Sequence, residues 1–411
     1  MAIIEKKYVS KKTGKEISKY YACVYNPMTG KHIWGKGREK RKDAVKDEAD
    51  ILEDIEKGTT EAKGKMKFKD LAKLWFDSTE TTYAESTWRG YKGYYNAKLA
   101  PVFDEVYVNK ITPTHVQMFK NELSKKYKPA TVNKTLNLLS MMMDYAIKPL
   151  HIIKYNPCKD IKRDKIETPE HTTWDEQTIG YFLNLESVVN SDYYEMLVLS
   201  FTTGLRPGEV CGVSTKSLKK DNLLSLFRGY NKYGNITDMK TPGSHRPIAL
   251  DPFVYNILKQ KLEKKKKQKE EYTKKYLKGK VPTPYKDNDF LFTYEDGTPI
   301  TPNSYSRAFR NLIRNHNSEL KKIEAEKGKL PPGLYYLPQV RLYDCRHSFA
   351  TNNILSGENA KTVAEIMGSR VETIMRNYVH VGRTTHQATL SKYSGKIFNF
   401  NEITEKNNTV S

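Results

Sequence analysis

Thr203-Gly204-Leu205-Arg206-Pro207-Gly208-Glu209 decides how the C-terminal half of this chain is read. It follows directly on the apolar segment Met196 to Phe201. Gly204 can end that helix, because glycine enters a left-handed cap without strain. Pro207 suits the first turn of the next helix, where its missing N–H is not needed. Arg206 therefore sits in a fixed junction, a good place for a phosphate clamp. Three further segments stand downstream. Lys240-Thr241-Pro242-Gly243-Ser244 reads as a hairpin turn leading into a strand from Arg246 to Leu250. Tyr343-Asp344-Cys345-Arg346-His347-Ser348-Phe349-Ala350-Thr351 opens a helix. Gly368-Ser369-Arg370 and then Met375-Arg376-Asn377-Tyr378-Val379-His380-Val381 follow.

Working outward, the chain of 411 residues has room for two to four domains. The overall class is α+β and mainly helical. Residues 1–57 form a first unit, with strands at Ile3–Val9, Tyr20–Tyr25 and Lys31–Gly35 and then a helix over Arg41–Glu56. Val45, Ala49, Leu52 and Ile55 stand near helical spacing there. Lys31, Lys36, Arg38 and Lys40 crowd the last strand and the turn after it. A small sheet of this width can enter the major groove of DNA, and these four are the candidate contacts; a solvated basic surface is the plainer reading. Gly58 to Lys65 is a polar linker. Residues 66–158 read as a bundle of about four helices. Phe68, Leu71, Ala72, Trp75 and Phe76 form one stripe, and Val132, Leu136, Leu139, Met143, Ala146 and Ile147 form another. A second linker rich in Lys, Asp and Glu starts at residue 158. A mixed, mainly helical domain spans 170–390, with strands between Leu223 and Leu250 and a solvated basic helix near Lys259–Lys280. Residues 391–411 are a tail.

The formal charge is +22, from 70 basic and 48 acidic residues. That excess points to a polyanion, and nucleic acid is the commonest one, with double-stranded DNA the partner the resemblance below implies. No run of about 18 apolar residues suggests a membrane span. The start lacks the pattern of a secretory signal. Cys23, Cys158, Cys211 and Cys345 are scattered, with neither zinc spacing nor a disulfide framework. A cytoplasmic protein is the expectation. There is no GxxxxGK[ST] and no HExxH, so neither a phosphate-loop ATPase nor zinc catalysis is indicated. No cofactor and no metal are expected.

The order of the four segments resembles the tyrosine recombinases, especially integrases of temperate phages and conjugative transposons. In that family a TGLRxxE segment carries a first arginine, which is Arg206 here. A hairpin lysine follows, which lands on Lys240. An HxLRH-type segment supplies a second arginine, Arg346. An LGH segment precedes the nucleophilic tyrosine by nine residues; Ser369 holds the histidine place and Tyr378 stands nine residues on. Tyr343 replaces the other histidine of the pattern. The resemblance covers residues 66–385, and the N-terminal unit resembles the arm-DNA-binding domain of the same integrases. His347 and His380 read as structural or surface histidines.

The resemblance implies DNA breaking and rejoining through a 3′-phosphotyrosyl bond, without metal or nucleotide. The chemistry is consistent with it. Negative charge grows on the non-bridging oxygens, and Arg206 and Arg346 can take it bidentately. Lys240 can protonate the leaving 5′ oxygen. Tyr378 is the nucleophile, and its phosphate ester keeps the bond energy for resealing. Ser369 can donate to the phosphate; Tyr343 can donate or merely pack. Glu209 either orients its neighbours or is an ordinary first-turn carboxylate. The resemblance further implies a homotetramer on core and accessory arm sites, two larger domains clamping the duplex, and a tail packed on a neighbouring subunit. It allows an excisionase or DNA-bending protein as a partner. Two rival readings stay open. One is a DNA-binding regulator that has lost catalysis, and the other is a topoisomerase with the same chemistry.

Overall fold

A computed structural model describes residues 2–9, 16–26, 31–56, 66–166, 172–238 and 246–378; of residues 2, 31, 54, 56, 377 and 378 it describes the backbone alone. The chain divides into two compact units, Met1–Thr168 and Pro169–Ser411.

The first unit begins with an antiparallel sheet of order β1 (Ala2–Val9), β2 (Glu16–Asn26), β3 (Lys31–Trp34). Cys23 stands opposite both Ala2 and Trp34, which fixes the register. Side chains alternate across the sheet. Ala22, Val24 and Asn26 on one face are buried. They lie on the side of helix α1 (Arg41–Glu56), where a Cβ on Gly35 would meet both Ala22 and Asp47. The helix packs with a stripe rotated from the one the sequence suggests. Ala44 is fully buried, whereas Val45 and Ala49 are exposed. The small Ala44 lets the helix come close to the sheet.

The bundle follows as α2 (Phe68–Thr79), α3 (Glu85–Tyr94), a π-helical turn over Tyr95–Leu99, α4 (Ala100–Phe103), α5 (Pro113–Lys126) and α6 (Pro129–Ile147). Since α3 runs through the π turn into α4, the bundle has four arms, as its periodicity suggests. Proline opens α5 and α6, and the Thr112 hydroxyl caps α5. Phe68, Leu71, Ala72, Trp75 and Phe76 are all buried, as are Leu136, Leu139, Met142 and Met143. Edge-to-face pairs Phe76–Trp88 and Trp75–Tyr91 join α2 to α3. The bundle does not stop at residue 158. Cys158 and Ile161 fill its core, Asn133 Nδ2 donates to Asp164 O (2.8 Å), and Lys120 pairs with Asp164 at 2.6 Å. Apolar positions inside the charged stretch account for the difference.

The second unit runs α7 (Glu176–Leu183), α8 (Glu186–Val189), α9 (Tyr194–Thr203), α10 (Pro207–Cys211), β4 (Leu223–Leu226), β5 (Gly229–Tyr230), β6 (Ile236–Thr237), β7 (Arg246–Ala249), α11 (Pro252–Leu277), α12 (Pro302–Lys327), α13 (Asp344–Leu355), α14 (Ala360–Met367) and α15 (Val371–Tyr378). Strands β4 and β7 pair antiparallel, and β5 pairs with β6. Trp174 anchors the core. It stacks on Phe201 at 5.7 Å, and its indole N–H donates to Pro338 O. Its backbone N–H donates to Ser348 Oγ and its carbonyl accepts from Asn352, so α13 is tied to α9 through one residue. Helix α11 is not simply solvated. Val254, Leu258, Lys261, Lys265 and Tyr272 are buried along one stripe. Lys261 pairs with Glu195 at 3.3 Å, and Lys265 donates to the carbonyls of Asn288 and Phe290. A lysine stem can cover apolar surface while its head finds acceptors, so charge count alone misreads this helix.

Candidate active site

The TGLR junction takes the form its residue types dictate. Gly204 ends α9 in the left-handed region (φ 61°), and a Cβ there would meet the Phe349 ring at 2.6 Å. Pro207 opens α10 with Arg206 just outside it. Glu209 is buried. Its Oε2 accepts from the Arg206 backbone N–H (2.9 Å) and its Oε1 from Arg206 Nη1 (2.8 Å). One carboxylate thus caps the helix and aims the guanidinium, so both readings of Glu209 hold. Arg206 remains about a third exposed.

Arg346 lies in the first turn of α13 and is 4% exposed. Its Nη1 donates to Gly204 O and to Met367 O, both at 2.7 Å. Arg206 Nη2 donates to Gly368 O at 3.0 Å. The two arginines therefore meet at one turn, the one that ends α14 and leads to Ser369. Gly368 stands there in the left-handed region (φ 60°). Ser369 is half-buried, and its N–H returns to Ala364 O at 2.9 Å. Two residues on, α15 starts; Ile374 anchors it in a small core with Phe349, Ala350, Val363, Ala364 and Met367. Tyr378 is the last residue of α15, one turn beyond Ile374, and its side chain lies outside the described residues. Lys240 also lies outside them, in the segment before β7.

Tyr343 stands just before α13, making no side-chain cap, and is 44% exposed, with its ring edge-on to buried His347 at 5.3 Å. It packs on His347 and keeps a solvent-facing hydroxyl-bearing ring. Asp344 accepts from Arg341 N, Nε and Nη2. Burial pushes its carboxyl up, but those bonds prevail and hold it below the usual carboxylate range.

Among the basic residues of the sheet unit, Lys36 and Lys40 are exposed, and the side chain of Lys31 lies outside the described residues. Arg38 departs from expectation. Its Nε and Nη2 bind both oxygens of Asp47 at 2.7 Å, and its backbone pairs with Tyr20. Its fork is committed to a strut between sheet and helix. The register instead puts Lys6, Lys19, Tyr21, Tyr25 and Trp34 on the open face, away from α1. Trp34 and Tyr25 are about half exposed, and Lys6 Nζ lies 4.4 Å from the Trp34 ring centre. Strict alternation in Ile4-Glu5-Lys6-Lys7-Tyr8 could have identified this face.

Comparison with known proteins agrees with this architecture. Residues 184–384 match the phage integrase family, and residues 67–124 match the phage integrase N-terminal SAM-like domain. The ICEBs1 integrase of Bacillus subtilis is 22% identical over 364 residues, which is 87% of this chain and 91% of the relative. A XerC-like tyrosine recombinase of Caldanaerobacter subterraneus subsp. tengcongensis is 25% identical over 400 residues, 90% of this chain and 94% of the relative. Among solved structures, the Tn1549 transposon integrase in complex with transposon right end DNA shares the fold with a TM-score of 0.59. It is 19% identical, over 80% of this chain and 99% of the other.

Proposed function

The chain belongs to the phage integrase family of tyrosine recombinases, DNA breaking-and-rejoining enzymes, and from that premise we propose that Tyr378 attacks a phosphodiester held by Arg206 and Arg346. The convergence of both guanidiniums on the Met367-Gly368 turn, immediately before Ser369 and the helix that ends in Tyr378, carries this reading. As Tyr378 gives up its hydroxyl proton to solvent, its oxygen joins phosphorus and the bond to the 5′ oxygen breaks. Lys240 gives that oxygen its proton. Charge that grows on the non-bridging oxygens is met by planar forks already held in place. Ser369 donates to the same phosphate. The free 5′ hydroxyl of a partner strand then attacks the ester and releases the tyrosine, so no external energy source enters. Exchange of strands between two sites excises or integrates a mobile element.

Binding is divided between two surfaces in this proposal. The catalytic unit and the bundle hold the crossover site. The open face of the sheet holds accessory sites, with Lys6 and Lys19 on phosphates and Trp34 and Tyr25 against the groove. Four copies act on two sites.

The test is a duplex nicked beside the cleavage position, incubated in EDTA without nucleotide. Wild type is expected to trap a covalent adduct on the 3′ phosphate side that survives denaturing electrophoresis. Tyr378→Phe is expected to bind the same duplex normally and trap none. An adduct with Tyr378→Phe assigns the attack elsewhere; a strict need for magnesium removes the tyrosine mechanism.

A further inference from the structure

Helix ends leave carbonyls without intrahelical partners, and each needs a donor from elsewhere. At the end of α14 the accounting is complete. Ser369 N–H returns to Ala364 O (2.9 Å) and Gly368 N–H to Glu365 O (3.1 Å). The next three carbonyls in sequence each take a guanidinium. Arg246 Nε donates to Ile366 O (2.9 Å), Arg346 Nη1 to Met367 O (2.7 Å) and Arg206 Nη2 to Gly368 O (3.0 Å). Two of these arginines form the proposed clamp. The third comes from β7 and has had no role so far.

Arg246 is 10% exposed at its side chain. Its guanidinium lies directly over Gly368, so close that a Cβ at that position would collide with Nη1 and Cζ. Its Nη2 stands 3.7 Å from Glu209 Oε2, and the other oxygen of Glu209 holds Arg206. Arg246 thus touches the turn directly and reaches the first clamp arginine through Glu209.

We propose that Arg246 is a positioning residue for DNA cleavage: it fixes the turn at Ile366-Met367-Gly368, and so the angle at which α15 carries Tyr378 to the phosphate. It acts through Gly368 and Glu209, not on DNA. The inference rests on Tyr378 as the nucleophile. A planar fork can bond Ile366 O, cover Gly368 and face Glu209 at once; a single ammonium cannot. Misplacement of reacting atoms by about 1 Å costs on the order of a hundredfold in rate.

The experiment compares full-length wild type, Arg246→Lys and Gly368→Ala, the last displacing the guanidinium without deleting it. Three quantities are read: single-turnover adduct formation on the nicked crossover duplex, affinity for that duplex, and hydrogen exchange by peptide. Both variants are expected to form adduct at least about tenfold more slowly at saturating DNA, with affinity unchanged and Tm lowered by no more than several degrees, as the loss of one buried bond or a strained left-handed alanine requires. Faster exchange should be confined to peptides spanning residues 366–374. Adduct formation by Arg246→Lys at the wild-type rate overturns the proposal. So does slow cleavage accompanied by faster exchange throughout the catalytic unit, which would make Arg246 an ordinary core contact. Tyr378→Phe, assayed alongside, separates the two readings. An adduct there overturns the nucleophile assignment and the proposal together, whereas a wild-type rate in Arg246→Lys with no adduct in Tyr378→Phe overturns the positioning role alone.

Discussion

Replacing Arg346 by methionine separates what this side chain does for the fold from what it does for chemistry. Methionine matches the stem in length and removes the fork. Two bonds at 2.7 Å disappear, one to Gly204 O and one to Met367 O, in a site that is 4% exposed. Hydrogen bonds from a charged donor contribute about 1.5–3 kcal/mol each, and the methionine stem recovers part of the loss through packing. A net cost of about 3–4 kcal/mol follows, or a fall in Tm of about 6–16 °C for a unit of this size. The fall is read by circular dichroism or dye binding, with wild type in the same buffer. At 25 °C the variant remains folded, so cleavage can be measured separately on the nicked duplex. Removal of one preorganised donor from a developing oxyanion typically lowers the rate about 10²–10³-fold. A Tm within about 1 °C of wild type would refute the claim that Arg346 staples two turns together. An unchanged cleavage rate would refute its place in the clamp, whatever the Tm.

Burial drives the Cys158 thiol up to about 12 and raises Cys211 and Cys345 well above the ordinary thiol range; iodoacetamide on the native protein should therefore modify Cys23, which is half-buried, and mass mapping of a modified Cys211 would contradict the packing. Burial pulls Lys265 down to about 8 from 10.5. A depressed lysine penalises the folded state below about pH 8, and the penalty fades as pH rises toward the unfolded value. Lys265→Met should therefore lose about 2–3 kcal/mol of its stability relative to wild type between pH 7 and pH 10, and a pH-independent difference would remove the idea. Deletion of residues 1–57 should weaken binding to separate accessory sites and spare the crossover site; Lys6→Ala should reproduce part of that loss in a gel-shift titration, with a shallower salt dependence.

Legibility in the sequence followed the kind of constraint involved. Gly204 and Pro207 were readable because backbone geometry admits few residue types at a left-handed cap or a first helical turn. The stripes of α2 and α6 were readable because a single buried face repeats at helical spacing. Arg38 reads as an unpaired positive charge because composition does not show the Asp47 that pairs with it from the following helix. Lys261 and Lys265 were misread for the converse reason. Their spacing with Val254 and Leu258 continued the buried stripe, but lysine is rarely admitted to one. Arg246 went unnoticed because its role depends on a turn 120 residues away, and no local pattern reports such a contact.

The arginine clasp on the end of α14 also sets an order of events during synthesis. Arg206 and Gly368 are 162 residues apart, and Arg346 reaches back 142 residues to Gly204. A chain emerging from the ribosome can complete the sheet unit and the bundle, and with them the face proposed to bind accessory sites, long before Gly368 appears. Contacts of such separation form late, after the intervening chain has been closed into a loop. On the proposed assignment, nascent and truncated chains are expected to bind DNA without cutting it, which a gel shift and a nicked-duplex assay on a fragment ending before Arg346 would check. On the proposed mechanism, breakage waits until the segment from Arg346 to Gly368 has folded back onto Arg206 and Gly204.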